Sequence, residues 1–228
     1  MKIFTKFTPA ENLSGLIYFL LQLFVVPALL MVVNTMLPHP YTDAAVNFMF
    51  YAVNFLVVTV LFRRFLIDNF RIVLAHPWHV LRYAGIGLLI YFAGNTLFSF
   101  LITALMPDFA NINDAVILQM VGENYALMCI GTVFLVPLVE ECFYRGLIFR
   151  NIFDKSPLLA YLASMVIFSM VHVVGYVTIA DWQTLVLCFI QYLPAGFALA
   201  FIYRKSGSIF ASILMHMAVN QIGMLMMR

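Results

Sequence analysis

The chain has 228 residues, 64% of them hydrophobic and 10% charged, with a formal net charge of +2. A soluble domain carries about 25% charged residues, so this composition excludes a soluble enzyme and points to an integral membrane protein. The basic residues sit at the ends of apolar runs rather than in a stripe, which excludes a nucleic-acid-binding surface.

About 20 apolar residues suffice to cross a hydrocarbon core ~30 Å thick. In chain order such runs lie at about 13–36, 43–62, 78–106, 125–150, 157–180, 183–203 and 207–227. The first follows Lys2 and Lys6, has no small-residue cleavage site and is long enough to be a retained span. Between the second and third, residues 65–74 are amphipathic and too short to cross, which predicts an interfacial helix. The expected fold is all-α: a polytopic membrane helical bundle of about seven transmembrane helices plus that short helix. It forms a single integral membrane domain over 1–228, with no internal repeat of the transporter kind.

Loop charge gives the orientation. With the N-terminus inside, Lys2, Lys6, Arg63, Arg64, Arg71, Arg82, Arg145, Arg150, Lys155, Arg204 and Lys205 fall on the inner side and Arg228 outside. This is a positive-inside pattern, and it predicts a multi-pass protein of the cell membrane with a cytoplasmic N-terminus. Asp43, Asp108, Asp114, Glu123 and Asp181 fall mostly on the other side. Cys129, Cys142 and Cys188 lie in apolar stretches without metal-type spacing and read as small buried hydrophobes.

The fourth run contains Glu140-Glu141, followed by Arg145. Charged groups at membrane depth are costly and face a polar cavity or a partner. Glu141 and Arg145 are four apart on one helix face and can neutralise each other. Glu140, rotated by about 100°, has no helical charge partner and is the candidate general base. Tyr144, four residues on, could offer it a hydroxyl. The fifth run places Phe168 beside His172, so the ring can orient the imidazole; the seventh places His216 and Asn220 one turn apart. Both of the latter can donate hydrogen bonds to an oxyanion. Helical rise places these groups on the order of 15–20 Å from the inner helix ends, and the site is expected toward the cytoplasmic half.

The residues Glu140-Glu141-x-x-x-Arg145, Phe168-x-x-x-His172 and His216-x-x-x-Asn220 resemble the three motifs of the CAAX protease and bacteriocin-processing (Abi) family of intramembrane glutamate proteases. The resemblance covers roughly residues 125–220, the expected catalytic core. It implies that Glu140 activates a water with help from His172, that His216 and Asn220 stabilise the tetrahedral oxyanion, and that Glu141 with Arg145 forms a supporting pair. It implies no cofactor and no metal. Two histidines and a glutamate could make an open zinc site, but there is no His-Glu-x-x-His helix. The partners expected are the bilayer and a peptide or membrane-protein substrate: a prenylated tail, a bacteriocin or pheromone precursor, or a membrane segment. The alternative is a non-enzymatic bacteriocin self-immunity or scaffold protein, which the same family includes.

Overall fold

The structure is a computed structural model that describes residues 5–228; Lys2, counted among the basic residues above, lies outside them. Among the described residues all regular structure is helical. The elements are α1 (Pro9–Thr35), α2 (Asp43–Leu61), α3 (Arg63–Ala75), α4 (Pro77–Leu105), α5 (Ile112–Phe153), α6 (Pro157–Val174), α7 (Trp182–Ser206) and α8 (Ile209–Met226). All except α3 are long and apolar enough to cross a membrane, so the expected seven-span bundle is what forms.

Boundaries shift for local reasons. α1 begins at Pro9 rather than near 13, because Thr8 and Glu11 form a capping box: the Glu11 N–H donates to Thr8 Oγ1 (3.1 Å) and the Thr8 N–H to Glu11 Oε2 (2.7 Å). Two orphan donors of the first turn are thereby satisfied. α5 begins at Ile112 rather than near 125, because Asn111 caps a helix of its own ahead of the span. Asn124 then leaves helical geometry (φ −157°, ψ 92°) and its Oδ1 accepts the Leu127 N–H at 3.1 Å. The joint is a second cap inside one nominal helix. α6 ends at Val174, short of the expected 180, where residues 175–179 run through turns.

Two stretches widen to π geometry ahead of a proline: Leu21–Val25 before Val26-Pro27, and Gly131–Leu135 before Val136-Pro137. Proline lacks an N–H and its ring crowds the carbonyl four residues back, so the turn that precedes it opens. A third π stretch, Cys142–Phe149, follows the two glutamates.

Contacts between helix ends define the two faces of the bundle. At one, Lys6 pairs with Asp154, Arg150 Nε donates to the Thr5 carbonyl (3.2 Å), and Arg204 lies 5.3 Å over the Phe153 ring. The hydrogen bonds from Arg150 and then Lys6 hold the Asp154 carboxyl down at about 2. This tie is complete above the ordinary carboxylate range and is lost as the pH falls toward that value. The same end carries Arg63, Arg64, Arg71, Arg82, Lys155 and Lys205. At the opposite end, the Ala44 N–H donates to Glu123 Oε2 (2.8 Å) and Asn111 Nδ2 to Gln191 Oε1 (2.7 Å). Exposed Trp78 and Trp182 start helices at the two ends, one at each, where aromatic residues favour a membrane interface.

α3 lies across the basic end and is fixed there by a buried amide. Asn69 Oδ1 accepts the Ile209 N–H (2.9 Å), its Nδ2 donates to the Phe65 carbonyl (2.9 Å), and its own carbonyl accepts from the Ser208 hydroxyl (3.2 Å). The amide thus satisfies an orphan N–H at the start of α8. Asn69→Ala strands that donor in a dry site and should cost about 1–3 kcal/mol, read as a drop of several degrees in detergent thermal unfolding. The neighbouring surface change Arg71→Ala, which removes only an exposed pair with Asp68, should leave the transition within a degree.

Candidate active site

The charged residues of the fourth span meet a histidine from the last. Glu141 and Arg145 are both fully buried, with Arg145 Nη1 donating to Glu141 Oε1 at 3.1 Å. Arg145 Nη2 donates to the Gly196 carbonyl of α7 (3.2 Å), and its guanidinium lies 4.8 Å from the centre of the Phe168 ring. That carbonyl is reachable because residue 196 is glycine: a Cβ there would stand 3.0 Å from Met165 Cα and push α6 off α7. The same Glu141 Oε1 accepts from His216 Nδ1 at 3.0 Å. One carboxylate oxygen therefore joins α5 to α8, and the guanidinium joins α5 to α6 and α7.

Both histidines are oriented. His172 Nδ1 lies 2.8 Å from the Phe168 carbonyl, which can only accept, so Nδ1 carries the hydrogen and Nε2 is left for the cavity. Its ring stacks on Tyr192 (centroids 4.3 Å apart, 30° between planes) and packs against Phe168 at 4.5 Å. In His216 the bond to Glu141 likewise commits Nδ1 and turns Nε2 toward Glu140, whose Oε2 is 3.9 Å away. Glu140 Oε2 has no hydrogen-bond partner among the described residues.

Asn220 departs from simple expectation. Its Nδ2 donates to the Thr132 carbonyl at 2.8 Å, inside the π stretch that Pro137 induces. One amide hydrogen is thus used to hold the widened turn, and one is left for a ligand. Tyr144 is buried, packed edge-on to Phe168 at 5.3 Å. Among the described residues no hydrogen bond joins it to Glu140.

Glu140, Phe168, His172, His216 and Asn220 line one cavity of about 450 Å³. Glu141 and Arg145 stand behind its wall, and no group of three or more His, Cys, Asp or Glu side chains among the described residues is placed to hold a metal ion. The cavity runs from Leu199 and Met215 at its floor to Asn47, Asn111, Asp114 and Met227. Those last residues belong to the end of the bundle opposite the basic one. On the basic side the space is filled by fully buried Cys142, Phe143, Phe149, Tyr203 and Ile209. His172 sits near the end of α6 away from the basic one, Tyr192 near the middle of α7, and the aromatic core closes the near ends.

Other lining residues were missing from the sequence reading of the site. Tyr51 of α2 lies against Gly131, where a Cβ would come within 2.5 Å of the ring. Asn111, Asn113 and Asp114 open α5, tied to Gln191 and Tyr192. Their signal was a dense polar run just before an apolar one, which is also the signature of an ordinary loop and cap. Elsewhere between helices, Asn54 pairs with Tyr18 (2.9 Å), and Gln191 and Tyr192 pair with the α5 cap.

Residues 122–222 match a family model described as "Type II CAAX prenyl endopeptidase Rce1-like". "UPF0177 protein YxdF" of Lactococcus lactis subsp. lactis (strain IL1403) is 34% identical over 89 residues, 39% of this chain and 44% of that protein. "Putative membrane peptidase YdiL" of Bacillus subtilis (strain 168) is 34% identical over 95 residues, 41% of this chain and 34% of that protein. The chain thus spans less than half the length of these curated relatives. No solved structure matches.

The charge cluster makes a prediction about folding alone. Arg145→Met leaves Glu141 buried without its cation and should cost about 3–5 kcal/mol, seen as loss of monodisperse protein in detergent. Glu141→Gln/Arg145→Met removes both charges while keeping an acceptor for His216, and should recover most of that folded yield.

Proposed function

We propose that this chain, Rce1-like over residues 122–222, is an intramembrane endopeptidase that hydrolyses a peptide bond in the cavity with a glutamate-activated water. The observation that carries the reading is the convergence of Glu140 and His216 at 3.9 Å beside His172, in a space lined by no other acid–base groups among the described residues except Asp114 and the three tyrosines Tyr51, Tyr91 and Tyr192.

In this mechanism Glu140 accepts a proton from water as the oxygen attacks the scissile carbonyl carbon, and His172 Nε2 holds the water's other hydrogen. The tetrahedral oxyanion takes the second amide hydrogen of Asn220, and Nε2–H of a protonated His216. Collapse breaks the C–N bond, with the proton held by Glu140 or His216 passing to the leaving amine. Glu141 keeps the His216 imidazole in the required orientation, as the carboxylate of a triad does for its histidine. Metal-free chemistry is part of the proposal: Asn220, committed to Thr132, is a donor rather than a ligand.

The basic end is read as cytoplasmic, on the positive-inside pattern. The mouth at the other end then faces away from the cytoplasm, in place of the cytoplasmic placement read from the sequence. Residues 125–220 hold the chemistry within one integral domain.

Glu140→Gln should lower kcat by about 10²–10⁴-fold against a panel of quenched fluorescent peptides, prenylated and not, with purified protein that keeps its thermal transition. Asn220→Ala should lower it by about 10²–10³-fold. A zinc chelator should leave the wild-type rate unchanged. Equal cleavage by wild type and Glu140→Gln would overturn the mechanism, and chelator-sensitive cleavage would overturn its metal-free form.

A further inference from the structure

α3 shows two different faces. Phe65, Leu66 and Asn69 are buried against the bundle. Arg63, Arg64, Ile67, Phe70, Arg71 and Leu74 are exposed, and their spacings of three and four residues gather them on the opposite side of the helix. Only the edge of that side touches protein, where Phe70 meets the Phe210 ring at 5.5 Å between centres. Apolar and basic side chains are therefore interleaved along one outward face instead of being sorted to separate ones.

The surroundings of this face are cationic. Arg71 is offset by Asp68 (2.9 Å), and Asp154, at the same end of the bundle, is taken by Lys6 and Arg150. Glu11 is engaged in the capping box of α1. Among the described residues no carboxylate pairs with Arg63, Arg64 or Arg82. Where α3 turns into α4 the same character continues: Trp78 is 81% exposed, and Arg82 stands exposed one turn further on. The face is also rigidly held, because Asn69 on its buried side accepts the Ile209 N–H that opens α8.

A helix facing water would not present Ile67, Phe70 and Leu74 on successive turns, and a helix in hydrocarbon would not carry arginines among them. The mixture suits the boundary between the two. There the apolar side chains sink toward the acyl chains, while the guanidinium groups reach out to the headgroup level and grip phosphate through paired N–H donors. We propose that the outward face of α3 is a docking surface for anionic phospholipid headgroups, with Arg63 and Arg64 as the residues that set the preference. A zwitterionic lipid offers the same phosphate but carries its own cation, so the uncompensated arginines favour a headgroup of net negative charge. Lipid held there would rest on the helix that fixes the start of α8, the helix of His216 and Asn220.

The test places one tryptophan at the centre of the face, in the full chain carrying Ile67→Trp, Trp78→Phe and Trp182→Phe. This protein is reconstituted into phosphatidylcholine nanodiscs that contain a rising fraction of lipid with brominated acyl chains, which quench a tryptophan they touch. The brominated lipid is phosphatidylglycerol in one series and phosphatidylcholine in the other. Half-quenching should need an at least about fivefold lower fraction of the anionic lipid. Adding Arg63→Gln/Arg64→Gln should bring the two curves together, and Arg63→Lys/Arg64→Lys should keep most of the gap. Raising the salt from about 0.05 to about 0.5 M should narrow the gap without any change to the arginines. With Trp182 as the sole tryptophan, at the opposite end of the bundle, the gap should be small. Coincident curves at the α3 face, a gap that Arg63→Gln/Arg64→Gln leaves intact, or an equal gap at Trp182 overturns the proposal. The readout involves no peptide, so it is independent of the endopeptidase reading.

Discussion

The buried pair of Glu141 and Arg145 is the constraint on which the rest of the site depends. Neither group could be desolvated alone at this depth, since an isolated charge in a medium of low dielectric costs several kcal/mol even after relaxation. Together they are tolerable, and further bonds support the pair: Glu141 Oε1 also takes His216, and Arg145 Nη2 takes a main-chain carbonyl, while Glu141 Oε2 and Arg145 Nε have no partner among the described residues. The pair therefore fixes the relative positions of α5, α6, α7 and α8. It leaves Glu140, one residue earlier, pointing at open space. Adjacent glutamates in one helix are forced about 100° apart, and that angle separates the acid buried in the ion pair from the one that lines the cavity.

Much of this arrangement could be read from residue type and spacing. Hydropathy counts seven spans because a bilayer admits few alternatives to apolar helices. The four-residue spacings Glu141/Arg145, Phe168/His172 and His216/Asn220 each place two side chains on one face, and the structure brings the last two faces to one cavity with the first behind its wall. What spacing could not give is which neighbour each side chain chooses across helices. Tyr144 was available to Glu140 by periodicity, yet its ring is held by Phe168. Asn220 was free to point at a ligand, yet half of its donor capacity goes to Thr132. Such choices depend on the offsets between helices, which no single helical period encodes.

The π stretches are where local sequence and site geometry meet. Val26-Pro27 and Val136-Pro137 both continue into α-helix, and both are preceded by a widened turn. In α1 the widening sits in a largely lipid-facing helix. In α5 it frees the Thr132 carbonyl, which Asn220 then occupies, and it rotates everything downstream, including both glutamates, relative to the upstream turns. The proline thus acts at a distance of one turn on the direction in which Glu140 points. Its ring also explains why Gly131 is needed: the widened turn presses against Tyr51 of α2, and there is no room for a Cβ between them.

The matched segment and the cavity do not coincide, and this has a consequence for how the chain should be understood. Residues 122–222 contain Glu140, His172, His216 and Asn220, so the matched segment covers the residues to which the proposed mechanism assigns the chemistry. Asn47, Tyr51, Tyr91, Asn111 and Asp114, which shape the route from those groups to the mouth, all precede it. Under the proposed function, the matched core does the reaction and the segments that precede it line the way in. Among these residues only Asp114 is charged, and the turn that carries it is latched to Gln191 and Tyr192 of the matched segment through Asn111 and Asn113. A family-level likeness in the core therefore transmits nothing about whether the admitted chain is prenylated, terminal or internal. In the first turn of α5 and in α2, side chains from outside the matched segment line the same cavity as Glu140, His172, His216 and Asn220.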